Sequence, residues 1–236
     1  MTPQANVLSL LEGVFGLIEG KRILDVGCGN GGLFRVLVDR GAEVVGVDPN
    51  EEALGAARRA VSKGVFAQAA AEALPFADDS FDGAVLLNSL HHVPVSDMNM
   101  ALREVARVVE PSGPLVVVEP LAEGSLFNAL RLAEDETAVR NAAQEAMDKA
   151  IESGLLEQTS AMEYVRHERY SGLQEFLDHI VAVDPARAAT VEERRPAVED
   201  AFSTYGRKLE DGGYVLDQPM LARILRATVQ PGGEPG

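Results

Sequence analysis

Along the 236 residues the apolar positions change period several times, and each change marks an element. Val7, Leu8, Leu11, Phe15 and Ile18 recur at helical spacing, interrupted by Gly13 and Gly16, and predict a leading helix within residues 1–20. Such a helix packs over the mouth of a site or covers a sheet edge. A first strand over residues 21–26, apolar at Ile23, Leu24 and Val26, is followed by four glycines in the six positions 27–32. Leu33, Phe34, Leu37 and Val38 then resume helical spacing up to about residue 40, where Gly41 supplies a C-cap. A second strand over 43–47 leads to Asn50, a suitable N-cap with Glu51 and Glu52 in the first turn behind it. Residues 65–68 and 81–88 read as third and fourth strands. Met98, Leu102, Val105 and Val109 share one face of a helix that Ser96 or Asp97 can cap, and 114–119 is a fifth strand.

Strands that alternate with helices of this length specify a doubly wound α/β fold, a mostly parallel sheet with helices on both faces. The fourth and fifth strands are nearly all apolar, as strands covered on both sides must be. Ligands of such sheets bind outside the carboxyl ends of the strands. Asp25, Asp48, Glu72, Asn88 and Glu119 all end or follow a strand there. Beyond residue 120 the pattern is helical over 121–160, extended over 162–170, and helical again over 173–183 and, after Asp184-Pro185, from 187 to 208. Asp211-Gly212-Gly213 turns into a seventh strand over 214–225, and 230–236 is a Pro/Gly tail expected to be disordered. The expected organisation is a leading helix (1–20), a cofactor-binding core (21–120) and helical substrate or lid additions carrying strands six and seven (121–229).

Composition removes several function classes. A formal net charge of −16 disfavours nucleic acid, whose phosphates require a basic face. It equally disfavours an acceptor held by its negative charge. One cysteine excludes an intrachain disulfide framework and a cysteine-based zinc site, and four histidines lack metal-ligand spacing. No stretch reaches the roughly 18 consecutive apolar residues of a membrane span. The first residues lack a basic segment ahead of an apolar run, so a soluble cytoplasmic protein is expected.

Strand, glycine turn and helix together make a ligand turn, because glycine takes positive φ and admits close approach while the helix offers unpaired N–H groups. Gly27-x-Gly29-x-x-Gly32, with Asp48 further on, also satisfies the dinucleotide fingerprint, and a lone match of that kind is weak. Asp25 argues against a pyrophosphate and for a ligand with an ammonium group. Residues 71–76 (Ala-Glu-Ala-Leu-Pro-Phe) add a third loop with a carboxylate free to accept from an exocyclic amine, and no second nucleotide-binding half follows strand three.

Asp25-Val26-Gly27-Cys28-Gly29-Asn30-Gly31, Gly46-Val47-Asp48, Ala71-Glu72-Ala73-Leu74-Pro75-Phe76, Ser80-Phe81-Asp82 and Leu90-His91-His92-Val93 resemble, in order, the motifs of class I S-adenosylmethionine-dependent methyltransferases. The subgroup with ubiquinone and menaquinone methyltransferases is the most similar. The resemblance covers residues 20–120 and beyond them only the architecture, a Rossmann-like seven-stranded sheet with an antiparallel last strand. It implies S-adenosyl-L-methionine as cofactor. The turn with Gly27, Cys28 and Gly29 would approach its methionine part and Asp25 its ammonium group. Asp48 would take the ribose hydroxyls with Pro49 beside the adenine, Ala71 and Glu72 would meet the adenine amine through backbone and carboxylate, and Asn88 would lie against the methionine end through its backbone carbonyl. By the same pattern His92 is the better placed of two adjacent histidines for a general base, ahead of Glu119, His167 and Tyr170.

Methyl transfer from a sulfonium is an in-line displacement in which the protein mainly aligns the reactants. A base is needed only if the acceptor must lose a proton. The added helices offer Phe127, Leu130, Tyr164, Phe176, Phe202, Tyr205 and Tyr214 either as an acceptor pocket or as packing, and without a basic cluster the acceptor is a small neutral or apolar molecule. An NAD-dependent oxidoreductase and a non-catalytic cofactor-binding interaction protein are the alternatives. A homodimer through the added helices fits their apolar stripes, which do not distinguish an interface from a core.

Overall fold

A computed structural model describes residues 3–183 and 185–228. The chain divides into two compact units, one of residues 1–119, 142–162 and 222–236, the other of 120–141 and 163–221. The first unit begins with α1 (Pro3–Phe15), which ends at Gly16 with φ of 66°. Five strands and three helices follow: β1 (Arg22–Val26), α2 (Gly32–Val38), β2 (Glu43–Asp48), α3 (Glu51–Ala60), β3 (Val65–Gln68), β4 (Gly83–Leu87), α4 (Met98–Val108) and β5 (Leu115–Pro120). Then come α5 (Ser125–Leu130), α6 (Thr137–Glu152), β6 (Leu156–Tyr170), α7 (Leu173–Val183), α8 (Ala188–Glu193), α9 (Arg195–Tyr205), β7 (Arg207–Lys208) and β8 (Tyr214–Ala227).

Among the described residues the sheet runs β3-β2-β1-β4-β5-β8-β6, with β7 paired to β8. Pairing is parallel from β3 through β5, and the far end is antiparallel. The expected doubly wound, mostly parallel sheet is therefore present, and β7 adds a two-residue eighth strand. Strand order reverses between β1 and β4, so the crevice at their carboxyl ends is where a ligand fits.

Alternation along the strands sends Leu24, Val26, Ala84, Leu86, Leu115 and Val117 to one face. There they join Leu102 and Val105 of α4 and Ala143, Ala146, Met147 and Ala150 of α6 in one core. Asp25 lies on the opposite face of β1 from Leu24 and Val26, on the side of α2. α2 and β3 contribute Phe34 and Phe66 there, their ring centroids 4.3 Å apart. Asn50 caps α3 as its sequence suggests, its Oδ1 accepting from the N–H groups of Glu52 and Ala53. Asp97 holds the N-cap position of α4 without a side-chain hydrogen bond.

Departures from the sequence reading fall after residue 120. The expected continuous helix over 121–160 is two helices, and β6 already starts at Leu156. Residues 157–163 are exposed on both faces, so no burial imposes the apolar alternation that would announce a strand. The charged helix expected over 187–208 is cut into α8 and α9, because Pro196 sits in the first turn of α9, where its missing N–H is harmless. The tail expected at 230–236 lies outside the described residues.

The second unit has its own core of Leu126, Ala129, Tyr170, Phe176, Ile180, Val198, Phe202 and Leu216. Phe176 and Phe202 stack at 4.9 Å, and Tyr170 meets Phe176 edge-on at 5.3 Å. Both phenylalanines pack this core, whereas Tyr205 is exposed. Among the described residues no helix is long and apolar enough to cross a membrane.

Candidate functional site

Gly27 opens the turn after β1 with φ of 73°, in the left-handed region that a side chain disfavours. A Cβ there would lie 2.4 Å from the Cβ of Ser89, so the turn and the segment after β4 touch backbone to side chain. The N–H groups of Gly27 and Cys28 both donate to the Val47 carbonyl, at 2.8 and 3.0 Å, which ties the turn to the end of β2. Asp48 completes the tie. Its Oδ2 accepts from the Gly29 N–H at 2.9 Å and its Oδ1 from the Asn50 N–H at 2.9 Å. Each oxygen keeps a lone pair for a hydroxyl donor. Pro49 beside it is exposed, and its carbonyl accepts from Gln68 Nε2 at 3.0 Å.

Asp25 is buried, and its Oδ2 has no hydrogen-bond partner among the described residues. Burial raises its pKa to about 7; the Phe34 backbone N–H opposes the rise and the Asp48 charge adds to it. The Cys28 thiol packs toward Gly46, where a Cβ would meet Sγ at 2.9 Å and the Phe66 ring at 2.8 Å. Burial pushes the thiol's pKa up, with Asp25 and Asp48 adding to the rise, so it stays protonated and only the Cys28 backbone serves the turn.

Asn88 follows β4 with φ of 53°, unusual outside glycine, and its Oδ1 is buried without a partner among the described residues. Its N–H donates to the Val118 carbonyl at 2.8 Å. Glu119, wholly buried at the end of β5, holds the residues that follow. Its Oε1 accepts from the N–H groups of Ser89 at 3.1 Å and Leu90 at 2.8 Å, and its Oε2 pairs with His91 Nδ1. Ser89 Oγ in turn donates to the Val26 carbonyl at 2.8 Å. His91 is buried, while His92 is exposed with its ring 4.1 Å from that of His91. The sequence reading favoured His92; the structure places His91, not His92, on the buried carboxylate. Leu90–His92 is a 3-10 turn, in which consecutive side chains point about 120° apart. Only one of the two can face inward.

The third loop carries Ala71 and Glu72, both partly buried, and is fastened by two residues of α4 that the sequence reading did not single out. Leu74 N–H donates to Glu104 Oε2 at 3.1 Å. Arg107 donates to the carbonyls of Leu74 at 3.1 Å and Phe76 at 2.8 Å, and pairs with Asp78 and Glu104. The Arg107 guanidinium holds the Glu104 carboxyl below the usual carboxylate range. The signal was an i, i+3 Glu/Arg pair on an amphipathic helix, which from sequence alone reads as a solvated face.

Two buried acceptors without donors, Asp25 Oδ2 and Asn88 Oδ1, border a glycine turn backed by an acid at the end of β2. They fit a ligand with an ammonium group and a ribose diol, as in S-adenosylmethionine. A dinucleotide would share the Asp48 contact to a ribose but would bring a pyrophosphate, with no ammonium group, to the turn beside Asp25. Among the described residues no three His, Cys, Asp or Glu side chains are grouped to hold a metal.

A family model described as a methyltransferase domain matches residues 24–117, the stretch from β1 to β5 that builds this site. The chain is 39% identical over 107 residues to a ubiquinone biosynthesis O-methyltransferase of Aeromonas salmonicida, a match covering 43% of this chain and 44% of that protein. It is 33% identical over 171 residues to the 27-O-demethylrifamycin SV methyltransferase of Amycolatopsis mediterranei, covering 70% of this chain and 58% of the relative. The matches span from 39% to 58% of the length of these curated relatives. A solved structure of a methyltransferase from Bacillus halodurans superposes with a TM-score of 0.67 over 95% of this chain and 100% of that one; at 18% identity the likeness is one of fold. Residues 24–117 thus match a methyltransferase domain, and the cofactor turn, Asp48, the third loop and Asn88 all lie within that match.

Proposed function

We propose that this chain transfers a methyl group from S-adenosylmethionine to a hydroxyl oxygen of a small neutral or apolar molecule. The observation that carries the reading is the pair of buried, donorless acceptors Asp25 Oδ2 and Asn88 Oδ1 beside the glycine turn and Asp48. When bound, the cofactor supplies a methyl group made electrophilic by its sulfonium. Asp25 and Asn88 would meet the ammonium group, Asp48 the ribose hydroxyls, and the loop of Ala71 and Glu72 the adenine. The turn's N–H groups and the Arg107 clasp keep these groups in place without substrate, so orientation is built in before binding.

In this reading His91 is the general base. Its Nδ1 faces the buried Glu119 carboxylate, which fixes the ring and stabilises the imidazolium formed when Nε2 takes the acceptor's hydroxyl proton. The names of the two relatives support oxygen as the acceptor atom, since one is an O-methyltransferase and the other acts on a 27-O-demethyl compound. The strong negative charge supports a neutral acceptor over a nucleotide or an acid, and argues against a nucleic-acid partner.

The test is incubation with methyl-labelled S-adenosylmethionine and a panel of neutral phenols and alcohols, carboxylated analogues and nucleic acid. Label transfer to neutral hydroxyl compounds, with release of S-adenosylhomocysteine, is expected. Transfer only to acidic acceptors or nucleic acid would overturn the acceptor class. No transfer, with the cofactor bound, would overturn the enzymatic reading.

A further inference from the structure

Asp25, two residues before the cofactor turn, is a buried acid that no cation among the described residues balances. It sits on β1, whose neighbours bring Gly46 and Val85 opposite it. β4 contributes no charged side chain, and α2 has only the exposed Arg35. β2 contributes Asp48, of like charge. The turn contributes Cys28, a neutral thiol, and α3 contributes Arg58, which is exposed and engaged with Glu51 at 2.5 Å. One backbone N–H, from Phe34, favours the ionised carboxylate, and Oδ2 has no donor among the described residues. A carboxylate without donor or counter-ion inside a protein takes up a proton rather than remain charged.

We propose that Asp25 holds a proton in the free protein and releases it when the ammonium group of the cofactor docks, so that cofactor binding is coupled to proton release. This rests on the methyltransferase reading above and adds a regulatory property to the same site. An ammonium beside Oδ2 supplies both the missing donor and the missing positive charge, and so favours the carboxylate. Below neutral pH the proton must leave first and affinity falls; above it the carboxylate is already formed and affinity levels off. With the free-state pKa at about 7, affinity drops about tenfold for each pH unit below that point. The same sign holds for S-adenosylmethionine and its thioether product, since both carry the ammonium. The coupling makes the site less occupied in acid without altering its preference between the two.

The experiment is calorimetric titration with S-adenosylhomocysteine at pH 6 and pH 8, each in two buffers of different ionisation enthalpy. Release of about 0.9 proton at pH 6 and about 0.1 at pH 8 is expected from a pKa of about 7. Asp25→Asn is expected to bind without release at pH 6. 5′-Methylthioadenosine, which keeps the nucleoside and thioether but lacks the ammonium, is expected to bind wild-type protein without release, a control that does not depend on how the variant folds. Binding of S-adenosylhomocysteine with no buffer dependence at pH 6, or equal release with methylthioadenosine, overturns the proton coupling and leaves the methyltransferase reading intact. No binding of S-adenosylhomocysteine at either pH overturns both.

Discussion

The Cβ of Ser89 lies 2.4 Å from the point that a Cβ on Gly27 would occupy, so the cofactor turn after β1 and the loop after β4 leave each other no room for one more carbon. Ser89 also donates from Oγ to the Val26 carbonyl at 2.8 Å, one residue before that glycine. The two loops form one surface. Gly27→Ala meets both the clash and a φ of 73°, and is expected to cost about 2–4 kcal/mol, the sum of left-handed strain and overpacking. Chemical denaturation of the variant checks this, and a loss below 1 kcal/mol would show that the loops part easily.

The clasp of Glu104 and Arg107 acts at a distance from the turn. Arg107→Ala removes the donors to the Leu74 and Phe76 carbonyls and frees the segment that follows Ala71 and Glu72. The expected result is a 3- to 10-fold weaker cofactor affinity, on the order of one hydrogen bond's net worth. Affinity for a ligand without adenine should not change. Equal weakening for both would place the effect in general stability instead.

His91 and His92 separate by burial and pairing. On the proposed mechanism His91→Ala lowers turnover by about 10²–10⁴-fold, the range of general-base catalysis, with cofactor affinity within threefold of wild type. His92→Ala should leave turnover within a few-fold. Glu119→Gln keeps an acceptor for the Ser89 and Leu90 N–H groups but removes the charge facing His91, so it should lower turnover while leaving cofactor affinity within threefold of wild type. Steady-state kinetics with the first acceptor found decides, and an inactive His92 variant beside an active His91 variant would reverse the assignment.

Asp25 also ties stability to pH. Its folded-state pKa, about 7, is above its unfolded value of 3.8, so the folded chain holds the proton more tightly. The stabilisation is fully present below about pH 4 and is lost as pH rises through about 7. Asp25→Asn lacks this loss. It should therefore be more stable than wild type at pH 8, by at most about 4 kcal/mol from a shift of about three units, with the advantage gone near pH 4. Thermal melts across that range test the sign. A variant less stable than wild type at pH 8 would contradict it.

The first 120 residues were legible because each change in apolar period there coincides with a change in burial. The run 22–26 is buried from its second residue on, and the acid within it stood out because the strand has no other polar side chain after Arg22. The dinucleotide fingerprint misled only as long as Asp25 was ignored. Beyond residue 120 the cues weaken. Alanine-rich α6 reads equally as a surface addition or as core packing, and only the structure shows Ala143, Ala146 and Met147 packed in the core of the first unit. Pro196 was visible in the sequence and sufficient to split the charged helix. The difference between His91 and His92 was not visible, since a 3-10 turn sets apart by direction two residues that adjacency makes alike. The Glu119 contacts join positions nearly thirty residues apart, which no local pattern encodes.

If the Gly27–Asp48 surface holds S-adenosylmethionine, calorimetric titration of wild type and Asp48→Ala with S-adenosylmethionine, S-adenosylhomocysteine and NAD will show it. Micromolar binding of both sulfur ligands is expected, at least about 30-fold weaker in the variant, on the order of two charge-assisted hydrogen bonds, and no measurable binding of NAD. Binding of NAD in place of the sulfur ligands, or unchanged affinity in Asp48→Ala, would contradict this.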